Sequence, residues 1–257
     1  MLFDTHLHLE DKQFDNIREE VLQEAKDANV TRMLAVGITL ETSLASLNLA
    51  KKHAGVYAAV GIHPNSCHEA SEKDWEKITS LTNDPKVIAI GETGLDKYWD
   101  FAPIELQEEY FRKHIHLSQK TGLPFIVHMR DCSEEILTIL KEGAQEGPLF
   151  GIMHSYTGNQ ELLGECLDLG LHISFSGILT FKKSTAIREV AAKVPDNRIL
   201  IETDAPYLSP EPVRGKRPNR PAYVSHTANC LAQVRGVSPE QIAFQTTQNG
   251  CDLFGIT

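Results

Sequence analysis

The sequence predicts an α/β fold, a (β/α)8 TIM barrel making a single domain over residues 1–257, on three observations. Short apolar, β-rich runs recur about every thirty residues, the interval of a repeated βα unit. Amphipathic helical stretches fill the gaps between them. The histidines and carboxylates with metal-binding chemistry fall at the C-terminal ends of the runs, where barrel enzymes carry their active sites.

The strand-like runs lie near Leu2–His6, Arg32–Gly37, Tyr57–Gly61, Val87–Gly91, Pro124–His128, Leu149–His154, His172–Ser176 and Ile199–Thr203. In the first, Phe3-Asp4-Thr5-His6-Leu7-His8-Leu9, alternate side chains share a face, so Asp4, His6 and His8 point the same way. Val87-Ile88-Ala89-Ile90 and Pro124-Phe125-Ile126-Val127 are continuously apolar, as parallel strands buried on both faces are. Ile17, Val21, Leu22 and Ala25 fall at helical spacing, as do Ile104, Phe111, Ile115 and Leu117. Gly122-Leu123-Pro124 ends one helix and opens the next strand. A loop over 209–221 with four prolines follows the eighth run, and helices over 223–233 and 239–249 are expected to close the barrel. An open doubly wound sheet would need a Gly-rich phosphate turn; Gly37-Ile38-Thr39 and Gly91-Glu92-Thr93-Gly94 match that pattern poorly.

Composition narrows the class. A chain that is 41% hydrophobic and 23% charged can bury a core of its own. No apolar run approaches the roughly 20 residues of a membrane span, and no secretory signal opens the chain, so no membrane partner is expected. Five scattered cysteines without a C-x-x-C pair fit reduced thiols and a cytoplasmic location. A net charge of −10 argues against a protein that coats nucleic acid, without excluding a local phosphate site. No second interaction module is visible, and a monomer is expected.

The run ends carry His6 and His8, then His63, Glu92, His128 with Arg130, His154, and Asp204. A lone histidine at such a place is more often structural than a ligand. Five on one rim, together with carboxylates, point to a metal site. The other six histidines (53, 68, 114, 116, 172 and 226) are expected to be structural. Neutral imidazoles with carboxylates suit zinc or manganese. Four imidazoles and two carboxylates are too many ligands for one tetrahedral ion and fit two, with Glu92 central enough to bridge. Glu202 lies a layer below Asp204 and, once buried, needs a partner such as a ligand histidine or an arginine. Asp4 is read either in that supporting role or as a structural acceptor.

Phe3-Asp4-Thr5-His6-Leu7-His8, Gly61-Ile62-His63-Pro64, Gly91-Glu92-Thr93-Gly94-Leu95-Asp96, Val127-His128-Met129-Arg130-Asp131 and Glu202-Thr203-Asp204-Ala205-Pro206-Tyr207 together resemble the TatD family of metal-dependent deoxyribonucleases, within the amidohydrolase-like barrels. The resemblance implies a barrel with two divalent ions (Zn, Mg or Mn). One would be held by His6, His8 and Asp204, the other by His128 and His154, with Glu92 between them. It also implies that His63 touches substrate phosphate. Two stretches depart from the family pattern. Ser155-Tyr156-Thr157-Gly158 stands for Cys-Phe-Ser-Gly. Arg214-Gly215-Lys216-Arg217-Pro218-Asn219-Arg220-Pro221 stands for Arg-Gly-Lys-Arg-Asn-Glu-Pro, with an arginine in place of the acid. That second loop, with Lys182 and Lys183, is either a basic lip for a nucleic-acid end or a solvated loop.

The resulting expectation is a hydrolase that cleaves phosphodiester bonds of DNA, as an exodeoxyribonuclease, through a metal-activated water at a dinuclear site. Asp204 and Glu92 are its catalytic carboxylates, and His63 and Arg130 contact substrate. Tyr98 and Trp99 either stack on a base or pack at the barrel rim. The alternative is hydrolysis of another ester, amide or small phosphoester on the same centre, since one barrel supports many chemistries. A non-catalytic metal-binding scaffold fits the full ligand set least well.

Overall fold

The computed structural model describes residues 1–256. Among these residues, eight strands alternate with nine α-helices, and the strands form one sheet in chain order from β1 to β8, the arrangement of a (β/α)8 barrel. The chain gathers into two compact units, one built from residues 1–35, 155–163 and 173 onward, the other from 36–154 and 164–172.

In the first unit, β1 (Leu2–Leu7) runs parallel to β2 (Val30–Val36), with Leu2 opposite Val30 and Leu7 opposite Ala35. β7 (His172–Phe175) pairs with β8 (Ile199–Ile201) from Ile173–Ile199 to Phe175–Ile201. The last strand's exit then returns to the first strand. Asp204 N–H donates to His6 C=O at 2.9 Å and His8 N–H to Ala205 C=O at 2.7 Å, beside a parallel bridge between Leu7 and Ala205. The barrel's closing seam is therefore also what sets Asp204 against His6 and His8.

Helices α1 (Arg18–Asp27), α7 (Thr185–Ala191), α8 (Val224–Arg235) and α9 (Pro239–Phe254) belong to this unit. A capping box at Ser238 and Gln241, with Pro239 in the first turn, starts α9. Gly255, at φ 64°, ends it in the left-handed region. Its apolar face meets β1, where the Phe3 and Phe254 rings lie 5.5 Å apart. Gly250 makes that approach possible, because a Cβ there would sit 2.8 Å from the Phe3 ring. Asn249 Nδ2 donates to the carbonyls of Asp196 and Ile199 and so holds the entry to β8.

The second unit holds β3 (Val56–Val60), β4 (Val87–Asp96), β5 (Phe125–Arg130) and β6 (Gly151–Met153). With them are α2 (Leu40–Lys52), α3 (Glu72–Leu81), α4 (Ile104–Thr121) and α5 (Ser133–Glu146). Helix α6 (Gln160–Asp168) follows β6 in the chain. β4 is longer than its sequence predicts. Gly91 and Gly94 read as strand breakers, yet Thr93 to Asp96 continue the ladder opposite Val127 to Arg130, and all ten residues are buried. The register of β4 on β5 shifts between Ile90 and Thr93, the stretch that holds Glu92. The glycines serve close approach: a Cβ on Gly61 would lie 2.6 Å from the Gly91 backbone.

His114 of α4 is fully buried and supports the loop after β3. Its Nδ1–H donates to Tyr110 C=O at 2.6 Å, and Nε2 accepts Ile62 N–H at 3.0 Å. This is the structural role expected for it from sequence, and it fixes the backbone next to His63.

Candidate metal centre

In the first unit, His6 is the penultimate residue of β1, His8 follows its end, and Asp204 follows β8. The seam hydrogen bonds set Asp204 Oδ1 at 3.8 Å from His6 Nε2 and 3.6 Å from His8 Nε2. The two imidazole rings lie edge to face with centroids 5.1 Å apart. Donor atoms that share one ion at 2.0–2.2 Å sit about 3.0–3.4 Å from one another. This trio is slightly wider than that and needs only a small inward movement of its side chains.

Two buried carboxylates support the trio. Asp4 accepts Thr203 N–H at 2.8 Å and the Thr203 hydroxyl at 2.5 Å, and its Oδ1 also lies 3.4 Å from His6 N–H. Burial pushes its carboxyl up to about 8, against the lowering effect of those hydrogen bonds. Asp4 is thus a clamp between the first strand and the residues after the last. Glu202 accepts Ser155 N–H at 2.6 Å and the Ser174 hydroxyl at 2.5 Å. A backbone amide and a serine hydroxyl serve it, partners beyond the ligand histidine or arginine expected from sequence.

In the second unit, Glu92 of β4, His128 of β5 and His154 just beyond β6 converge. Glu92 Oε1 lies 3.0 Å from His128 Nδ1 and 3.0 Å from His154 Nε2, and these two nitrogens are 3.5 Å apart. That spacing matches donors sharing one ion. The register that seats His128 opposite Gly94 on β4, and the bond from His154 N–H to Val127 C=O, bring the three side chains to one place.

The far edge of the His128 ring meets Asp96, with Nε2 3.0 Å from Oδ2. The sequence marks Asp96 only as the last residue of a motif. It is almost fully buried and also accepts Asn65 Nδ2–H, Tyr98 N–H and Trp99 N–H. Burial alone would raise its carboxyl, but the bonds from His128, Trp99 N–H and Asn65 outweigh it and hold Asp96 well below the usual carboxylate range. Burial likewise opposes charge on His128, yet its bonds to Asp96 and Glu92 raise the imidazole above its ordinary value. The Nε2–H donated to Asp96 fixes the ring, so that loss of the Nδ1 proton would leave that nitrogen's lone pair for a metal beside Glu92, the arrangement that orients a metal-binding histidine.

His63 Nε2 lies 3.5 Å from Glu92 Oε1. Its Nδ1 accepts Asn65 N–H at 3.0 Å, so the proton of the neutral ring is on Nε2. That nitrogen is a donor, suited to an anionic oxygen rather than to a metal. Arg130 ends β5, exposed, with its guanidinium 3.7 Å over the Tyr98 ring and 5.8 Å from that of Trp99. Tyr98, Trp99 and Phe101 are themselves exposed and touch one another, with Trp99 stacked on Phe101 at 5.6 Å. They are not packed beneath the rim.

In the loop after β8, one cation is engaged elsewhere. Arg220 Nη1 lies 2.8 Å from Glu20 and 2.5 Å from Glu24 on α1. The arginine that replaces the family's acid is tied down by two acids elsewhere and does not join a basic lip. Arg214 behaves differently, with its guanidinium 4.0 Å over the Phe181 ring.

A family model described as TatD related DNase matches residues 3–255. An uncharacterized metal-dependent hydrolase of Bacillus subtilis (strain 168), YabD, is 42% identical over 256 residues, covering 100% of both chains. A protein of Enterobacter lignolyticus (strain SCF1) named as the 3'-5' ssDNA/RNA exonuclease TatD is 32% identical over 259 residues, covering 99% of each. Among solved structures, the TatD homologue YJJV of Escherichia coli K12 superposes with a TM-score of 0.93 at 28% identity, covering 100% of this chain and 98% of that one.

Proposed function

The chain belongs to the TatD-related DNase family, and from that premise we propose that it is an exonuclease removing nucleotides from the 3′ end of single-stranded DNA. Metal-dependent hydrolysis is the activity of the family; the nucleic-acid substrate is our reading. The observation that carries it is Glu92 Oε1 at 3.0 Å from both His128 Nδ1 and His154 Nε2, with Asp96 on the other edge of His128. A donor set of imidazoles and carboxylates at these spacings fits zinc or manganese.

In this reading His6, His8 and Asp204 would hold one divalent ion, and Glu92, His128 and His154 would hold a second. Bound divalent ions supply Lewis acidity to phosphoryl oxygens and make a water acidic enough to lose a proton near neutral pH. Asp204 would take a proton from the attacking water and return it to the leaving oxygen. His63 donates its Nε2–H to a phosphoryl oxygen, and the Arg130 guanidinium neutralises charge on the phosphate. The exposed faces of Tyr98 and Trp99 suit stacking with a terminal base. We place the enzyme in the cytosol, on its five free cysteines.

Release of nucleotides from 3′-labelled single-stranded DNA by metal-loaded enzyme, compared with turnover of small esters and amides, tests the proposal. Unchanged nuclease activity in purified His128→Ala or Asp204→Asn protein would sink it. Hydrolysis of another ester, amide or small phosphoester is the second reading. It is favoured by the 42%-identical relative, whose description names a metal-dependent hydrolase and no nucleic acid.

A further inference from the structure

The turn after β7 and the loop after β8 enclose a cleft of about 480 Å³ that the chemistry above does not use. Lys182, Lys183 and Arg214 line it together with Phe181 and Ser184, and no acidic side chain does. In a chain of net charge −10, three cations around one concavity concentrate positive potential where the surface as a whole repels polyanions.

The cleft is built from pinned backbone. Arg188 Nη1 donates to Leu179 C=O at 3.0 Å and Phe181 C=O at 2.8 Å, and Nη2 to Lys182 C=O at 3.4 Å. These bonds hold the turn that presents both lysines. Glu211 N–H donates to Thr180 Oγ1 at 2.8 Å and ties the second loop to the first. Farther along, buried Asn219 donates to Thr203 C=O at 3.0 Å and anchors the same loop next to Asp204. The Arg214 guanidinium sits 4.0 Å over the Phe181 ring, a cation–π contact that holds it at the cleft before any ligand arrives. Its acidic neighbour, Glu211, is 4.0 Å away and partly exposed, a weak pairing that a phosphate displaces.

We propose that this cleft is a phosphodiester-backbone subsite that grips single-stranded nucleic acid beyond the residue being cleaved. The inference rests on the nuclease reading and deepens it: the substrate is a strand several nucleotides long rather than a mononucleotide ester. Two lysines supply point charges, and Arg214 supplies a fixed fork for one phosphate.

The test is fluorescence anisotropy with metal-loaded enzyme and a labelled phosphorothioate oligothymidylate of about 12 nucleotides, which resists hydrolysis, over a range of salt concentrations. Replacing all three cations (Lys182→Gln, Lys183→Gln, Arg214→Gln) is expected to raise Kd about tenfold or more at low salt. It should also flatten the plot of log Kd against log salt by about 2, three charges at about 0.7 each. The loss should shrink as the oligonucleotide is shortened towards a dinucleotide. Arg214→Lys should keep the wild-type salt slope, and Arg220→Gln, which removes a cation already held by Glu20 and Glu24, should leave it unchanged. A triple variant with the wild-type slope, in an enzyme that still degrades the strand, overturns the subsite and leaves the nuclease reading standing. A wild-type protein that neither binds nor degrades single strands overturns both.

Discussion

His128 Nε2 and Asp96 Oδ2 are 3.0 Å apart, on the edge of the imidazole remote from Glu92. A buried carboxylate thereby sets which nitrogen of His128 carries the proton and which carries the lone pair. Asp96→Asn removes the charge but keeps the shape. It is expected to weaken the binding of one metal ion by about 10- to 100-fold, the usual cost of losing such a support. Activity should fall at limiting metal and recover in part at excess metal. Titration with zinc against a competing chelator reads the affinity; an unchanged affinity means that Asp96 does not orient His128.

The two donor groups are built on separate strand sets, so they should empty separately. His6→Ala is expected to lose one metal equivalent and His128→Ala the other, each with a fall in activity of about 100-fold or more. Metal analysis after loading and desalting gives the count. A variant that keeps both ions and yet loses activity would show that its histidine acts on substrate, not metal.

The positions of these groups are legible in the sequence because their residue types are chemically unusual at strand ends. His6, His8, His128 and His154 stand out for that reason, and the structure brings each to a carboxylate or to another imidazole. Asp96 is not legible. Recognising it requires knowing that β4 continues past two glycines, and that continuation depends on pairing with β5, a contact remote in sequence. Arg220 is misleading in the same way. Four cations close together read as one basic patch, but Glu20 and Glu24 on a distant helix decide where one of them points. Composition and spacing carry local chemistry, while partner choice is a tertiary property.

The clamp between Asp4 and Thr203 joins the first strand to the exit of the last. Thr203→Val keeps the volume, removes the hydroxyl donor at 2.5 Å, and leaves Asp4 buried with one partner fewer. A buried polar group deprived of a partner costs about 1–3 kcal/mol. For a chain of this size that is a fall in Tm of about 2–12 °C. Differential scanning calorimetry of the metal-loaded variant measures it, and a Tm within about 1 °C of wild type would show that the clamp adds nothing to stability.

His114 gives the fold a pH dependence of its own. Burial lowers its pKa from 6.5 to about 4, against a small raising effect from the Tyr110 carbonyl. The native state therefore holds the ring neutral, while the unfolded chain protonates it below about 6.5. Between those values the unfolded state binds more protons, so stability falls as pH falls. The contribution is fully present above about pH 6.5, is reduced by about 2 kcal/mol near pH 5, and is lost as pH passes through about 4. His114→Gln retains an acceptor for Ile62 N–H and has nothing to titrate. Urea unfolding of both proteins at about pH 7 and about pH 5 should show the wild type losing about 2 kcal/mol more than the variant. Equal losses would mean that the His114 ring is protonated within the fold, contrary to its complete burial against Trp75 and Tyr110.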